Sequence, residues 1–139
     1  MIFRMFFASI LVVLVTSIEG LSQETVTTEQ LKVKVLAYLN PRVPSRAQRA
    51  RVDGYCDVSY TVGIDGKVIA DSVRVINDVA VKRKSRKDKS HKNYFTKACM
   101  KAAQKIANVP PVLGDQPVQV SGNIQRYYFY YHMKNAVIK

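Results

Sequence analysis

The side chains able to do chemistry are few and widely spread. Cys56 and Cys99 form no Cys-x-x-Cys pair, the spacing that thiol redox catalysis uses. His91 and His132 have no second histidine, cysteine or carboxylate cluster at metal-ligand spacing. The 10 acidic residues are scattered. Asp57 and Asp71 fall on surface-type positions, and Asp65 belongs to a turn. No nucleophile elbow, phosphate-cradling loop or dinucleotide fingerprint occurs. The pattern argues against an enzyme, a metal site or a cofactor. What remains is non-covalent recognition by cations and aromatics.

Two segments are built for that. Lys82, Arg83, Lys84, Arg86, Lys87, Lys89 and Lys92 crowd into one stretch with a single acid, Asp88. Such a run does not fold alone and is expected as a solvated loop. It either keeps the domain soluble or contacts an anionic surface, an attraction that salt would screen over about 8–10 Å. Tyr127 to Tyr131, YYFYY, puts aromatics on both faces of one strand. One set buries under a helix. The other either covers the sheet or forms a contact surface beside an open strand edge, where an incoming peptide could add as a further strand.

Composition sets the frame. Residues 1–22 have the form of a signal peptide: Arg4, then an apolar run from Met5 to Val15, then small residues at Ser17, Gly20 and Ser22. The run is shorter than the roughly 20 residues a spanning helix needs; an uncleaved anchor is the alternative. About 115 residues remain, enough for one small domain. A hydrophobic content of 47% requires a folded core. The formal net charge of +12 draws an exported domain to polyanions such as peptidoglycan, anionic lipid or an acidic partner protein, and export makes nucleic acid a poor partner.

The elements that must position these residues follow from periodicity. Over 23–40, Thr27 and Gln30 suggest a capping box before a helix, whereas Leu31, Val33 and Val35 alternating with Lys32 and Lys34 suit a strand; length and the cap favour a helix, or a linker. Pro41 and Pro44 predict an extended connection. Cys56, Val58, Tyr60 and Val62 alternate with Asp57, Ser59 and Thr61, so 55–63 is a half-buried strand. Asp65-Gly66 predicts a hairpin turn and 68–76 the return strand. Asn93 to Ala107 predicts a helix capped by Asn93, with Phe95, Ala98, Cys99, Ala102 and Ile106 on its apolar stripe and Lys97, Lys101 and Lys105 toward water. Gly114-Asp115 is a turn, and 118–132 is a long last strand on which Val118, Val120 and Ile124 share a face. The predicted fold class is α+β: a small twisted antiparallel sheet of hairpin and long final strand, with a helix packed on one face. Cys56 and Cys99 then point at the same strand–helix interface, either as one disulfide or as two buried thiols.

The segment 41–68, PRVPSRAQRARVDGYCDVSYTVGIDGKV, resembles the carboxy-terminal domain of the TonB family. The matching residues are Pro44, Arg46, Ala47 and Gln48, then Gly54, Val58 and Tyr60, then Asp65, Gly66 and Val68. The turn Gly114 to Val118 also looks like the family's lead into its last strand. Residues 41–139 would form this domain, with 82–92 as a basic insertion. The resemblance implies a periplasmic, non-enzymatic module that pairs its final strand with a short peptide of an outer-membrane receptor or other envelope protein. Carried onto this chain, Asn40, Pro41 and Arg42 would be the approach segment, and Ile124, Arg126, Tyr128 and Tyr130 would lie on the pairing strand. The chain departs from the family where Ile106 to Val109 replaces an aromatic-rich helix end, and where Gln23 to Asn40 lacks a proline-rich spacer. A module of another class, a basic adhesion or scaffold protein held to anionic cell-wall polymer or membrane by 82–92, is the alternative.

Overall fold

The computed structural model describes residues 24–82 and 93–139. The expected leader and the basic loop beyond Lys82 lie outside those residues. Its elements run β1 Thr25–Thr27, β2 Val35–Ala37, α1 Ser45–Ala50, β3 Val52–Val62, β4 Arg74–Lys82, α2 Thr96–Gln104, β5 Ala107–Asn108, β6 Val112–Leu113, β7 Gln116–Pro117 and β8 Gln119–Phe129. The chain is α+β. Its main sheet has the order β1-β8-β3-β4, antiparallel except for a parallel β1–β8 pair.

Alternation builds the centre. Val52, Cys56, Val58, Tyr60 and Val62 on β3 are buried, as are Tyr127 and Phe129 on β8. α2 lies across this face and adds Cys99, Ala102 and Ala103, with Phe95 and Ile106 just beyond its ends. The Phe95 and Phe129 rings stack with centroids 4.4 Å apart. A disulfide joins Cys56 to Cys99 across the interface, with Cα atoms 6.7 Å apart. The bridge points to an oxidising, exported compartment. Among the described residues no helix is long and apolar enough to cross a membrane.

Several expectations need correction. The stretch from Glu24 to Asn40 holds no helix but two short strands. Thr27 and Gln30 do meet, the Thr27 N–H donating to the Gln30 side chain at 3.0 Å, yet they close a turn. β8 supplies backbone partners to β1 and β5 supplies them to β2, and Val26 buries with Val118 and Val120 in a small second cluster. The proline-bounded connection contains α1, which begins immediately after Pro44. The Asp65-Gly66 turn is present, with Gly66 at φ +82° and the Gly63 N–H bonded to the Lys67 carbonyl. The return strand, however, is β4, displaced by a 3₁₀ turn at Ala70–Ser72 whose Ser72 hydroxyl accepts the Thr61 N–H. α2 starts three residues late. Asn93 takes φ +74° and does not cap it; instead the Asp78 carboxylate on β4 accepts the Phe95 N–H and the Thr96 hydroxyl at 3.0 and 2.7 Å.

Candidate functional site

β8 carries the residues expected to bind a partner, and a glycine divides it. Gly122 sits at φ +77°, a backbone state that side-chain-bearing residues rarely take. The β3–β8 register slips beside it, between Tyr60 and Val62, as at a β-bulge. Before the break Val118 and Val120 are buried; after it Ile124 is 64% exposed. The expectation that all three share one face is therefore corrected, because the bulge turns the strand over between them.

The outer edge of β8 is occupied at its two ends. Residues 119–121 pair with β1, and the Thr28 N–H reaches the Ser121 carbonyl. At the far end Tyr128 exchanges both backbone hydrogen bonds with Val137, at 2.9 and 2.8 Å. Backbone groups alternate in direction along a strand. Since Tyr128 faces outward, so do Arg126 and Ile124, while Gln125 and Tyr127 bond toward β3. The Gln125 side-chain amide donates to the Arg126 carbonyl. Among the described residues, the N–H and C=O of Ile124 and the N–H of Arg126 find no partner.

On the sheet face opposite α2, Arg126 is fixed between its neighbours. Its guanidinium makes a two-pronged contact with Asp57 at 2.7 and 2.8 Å and lies 4.1 Å from the Tyr55 ring centroid and 5.9 Å from that of Tyr128. Asn77 donates to the same carboxylate at 3.0 Å. Asp57 is thus buried, not on the surface as its alternation suggested. Hydrogen bonding from Arg126 holds its carboxyl below the ordinary carboxylate range, against the opposing effect of burial. Arg126 presents a guanidinium whose position is already set. Tyr130 is half-buried beside His132. Beneath the sheet, burial pushes the Tyr60 phenol up to about 12 and that of Tyr127 higher still, so both are neutral core groups.

The backbone of the approach segment is bonded to residues 134–136. Asn40 and Arg42 are exposed and Pro41 is buried. The Pro41 carbonyl accepts the Ala136 N–H at 2.7 Å, and the Val43 N–H donates to the Lys134 carbonyl at 2.9 Å. Residues 134–137 therefore run between the two expected halves of the site, bonded to 41–43 on one side and to Tyr128 on the other. Of the expected anion-contacting residues only Lys82, at the end of β4, falls within the described residues; Arg83, Lys84, Arg86, Lys87, Lys89 and Lys92 lie outside them.

Sequence reasoning missed the bridging tail. Its one signal was the apolar alternation of Ala136 and Ile138, of which Ala136 is buried. It also missed that Lys97, Lys101 and Lys105, read as facing water, line one wall of a groove whose other wall carries Arg42 and Arg46. The four-residue spacing of those lysines was the available clue. Compared with family models and with curated proteins, the chain matches none of them.

Proposed function

We propose that the chain is a non-enzymatic periplasmic binding module that works as the TonB carboxy-terminal domain does. It takes an extended peptide of an outer-membrane receptor or other envelope protein along the middle of β8. One observation carries this reading: between β1 and Val137 the backbone groups of Ile124 and Arg126 point outward, and three of the four find no partner among the described residues. An incoming strand finds there main-chain partners, the exposed Ile124 side chain, and the Arg126 and Tyr128 pair on the adjoining face. The free length is short. A guest makes a few main-chain bonds and gains the rest from side chains, or extends by replacing Val137 at Tyr128. The order of turn-linked strands, helix and long last strand supports the family reading, as does the disulfide for an exported site.

The test removes one outward N–H. Ile124→Pro deletes a donor at an exposed position, whereas Ile124→Ala trims only the side chain. With a photo-crosslinking residue at Tyr130 in intact cells, the parent and Ile124→Ala should capture the same envelope protein. Ile124→Pro should lower that capture about tenfold, the worth of one or two hydrogen bonds, while keeping its melting transition. Undiminished capture by a folded Ile124→Pro chain refutes strand addition at this edge.

A further inference from the structure

A second surface, away from the free edge of β8, has the makings of a site. The segment 39–46 and the outer side of α2 enclose an open groove of about 840 Å³. Val43, Tyr94, Ala98 and Ala102 supply its apolar floor. Among the described residues five cations line it, Arg42 and Arg46 on one wall and Lys97, Lys101 and Lys105 on the other, and no acidic residue does. All five are exposed, and none is ion-paired among the described residues. Arg46 lies over the Tyr94 ring, 4.9 Å from its centroid.

Both walls are fixed before any guest arrives. One is the α-helix, tied to the sheet by the disulfide. The other is bounded by Pro41 and Pro44 and bonded to 134–136 at Pro41 and Val43. A preformed groove spends little of a ligand's binding energy on ordering. Five unpaired like charges around an apolar floor are mutually repulsive, and an anionic occupant relieves that repulsion.

The spacing of the lysines selects among anions. Residues four apart on a helix are separated by about 6 Å along the axis, so the three ammonium groups spring from points spread over roughly 12 Å. A single headgroup needs cations that converge, whereas these form a row. An extended peptide places every second side chain about 6.7 Å apart on one side. Acids at alternate positions therefore meet the three lysines nearly in step, and the flexible lysine stems absorb the remainder. The residues between would turn to the apolar floor, and Arg42 and Arg46 can each grip a carboxylate with two N–H groups. The sequence has no stretch of alternating acids, so a second copy offers no segment of this pattern.

We infer that the groove between residues 39–46 and α2 binds an extended peptide segment of a partner protein, with acidic residues at alternate positions and small apolar residues between them. The probe is a fluorescent peptide of the form Asp-Ala-Asp-Ala-Asp-Ala, set against one of equal composition with the acids blocked together, Asp-Asp-Asp-Ala-Ala-Ala. Measured by anisotropy on the full chain, the alternating peptide should bind more tightly. Lys97→Gln with Lys101→Gln and Lys105→Gln should weaken it about tenfold, three exposed pairs each contributing a modest factor. A control with equal charge loss elsewhere, Lys32→Gln with Lys67→Gln and Arg74→Gln, should weaken it much less. Because glutamine and lysine have similar helix propensity, α2 should persist in the groove variant, checked by its melting temperature. Equal affinity for the two peptides, or equal losses in the two triple variants, would reduce the effect to net charge and overturn the inference. Displacement of the alternating peptide by anionic lipid vesicles, but not by neutral ones, would assign the groove to a membrane surface and overturn it too.

Discussion

The two faces of the central sheet are ordered by different means. Under α2, Cys56, Val58, Tyr60, Tyr127 and Phe129 are removed from water, and a covalent bridge fastens the covering layer. On the opposite face no helix of the described residues lies over Tyr55, Asp57, Arg126 and Tyr128, yet these side chains are held by specific contacts. There the ordering comes from one ion pair clasped between two rings. Burial supplies stability on the first face. On the second, polar geometry presets a surface without hiding it, which is what a surface waiting for a partner requires.

The largest expected effect sharpens the covered side of this contrast. Phe95→Ala empties a fully buried site stacked on Phe129, and such truncations cost about 3–5 kcal/mol. Thermal unfolding should show a loss of that size, and a loss under 1 kcal/mol would mean that α2 is not what anchors this face. Next comes the bridge. Replacing both cysteines, Cys56→Ala with Cys99→Ala, opens a loop with a sequence separation of 43, worth about 4 kcal/mol on the chain-entropy treatment. Cavity terms at two buried sites offset nothing, so denaturant unfolding should shift to clearly lower concentration.

The smallest effect belongs to the open face and carries a pH signature. Because Asp57 has a depressed native pKa, its charge stabilises the fold above the unfolded value of about 3.9. That contribution fades as pH falls through the lower native value. Asp57→Asn should therefore be less stable than the parent at pH 7 by about 1 kcal/mol, a charge-assisted pair discounted for the exposed guanidinium. The gap should close as acidification carries the pH through and below the lowered native value. A gap that stays constant with pH would separate Asp57 from the ordering of this face. Burial then, not the ion pair, would order both.

Legibility in the sequence followed the same divide. The covered face announced itself, since β3 alternates cleanly and Phe95, Cys99, Ala102 and Ile106 recur at helical spacing. The meeting of Cys56 and Cys99 followed from those two patterns. The open face did not, because the fate of Asp57 is decided by Arg126, 69 residues away, and no local period encodes that. Between 24 and 40 two signals conflicted. The capping pair was real but local: β8 offered residues 25–27 a pairing partner, and of the alternating Leu31, Val33 and Val35 only Val35 enters a strand, paired with β5. On the last strand, residue types marked the right segment but gave no sign that Gly122 would turn it over and part Ile124 from the face of Val118 and Val120. The groove stayed hidden because lysines spaced like a solvent stripe look alike whether or not a second wall faces them.

The Cys56–Cys99 bond also spans the lysine- and arginine-rich stretch from Lys82 to Lys92. A trypsin-like enzyme that cut there once would sever the polypeptide without releasing either piece. The two fragments would travel as one molecule until a reductant reached the sulfurs, so the number of bands on a gel would depend on thiol added to the sample buffer and not on the cut itself.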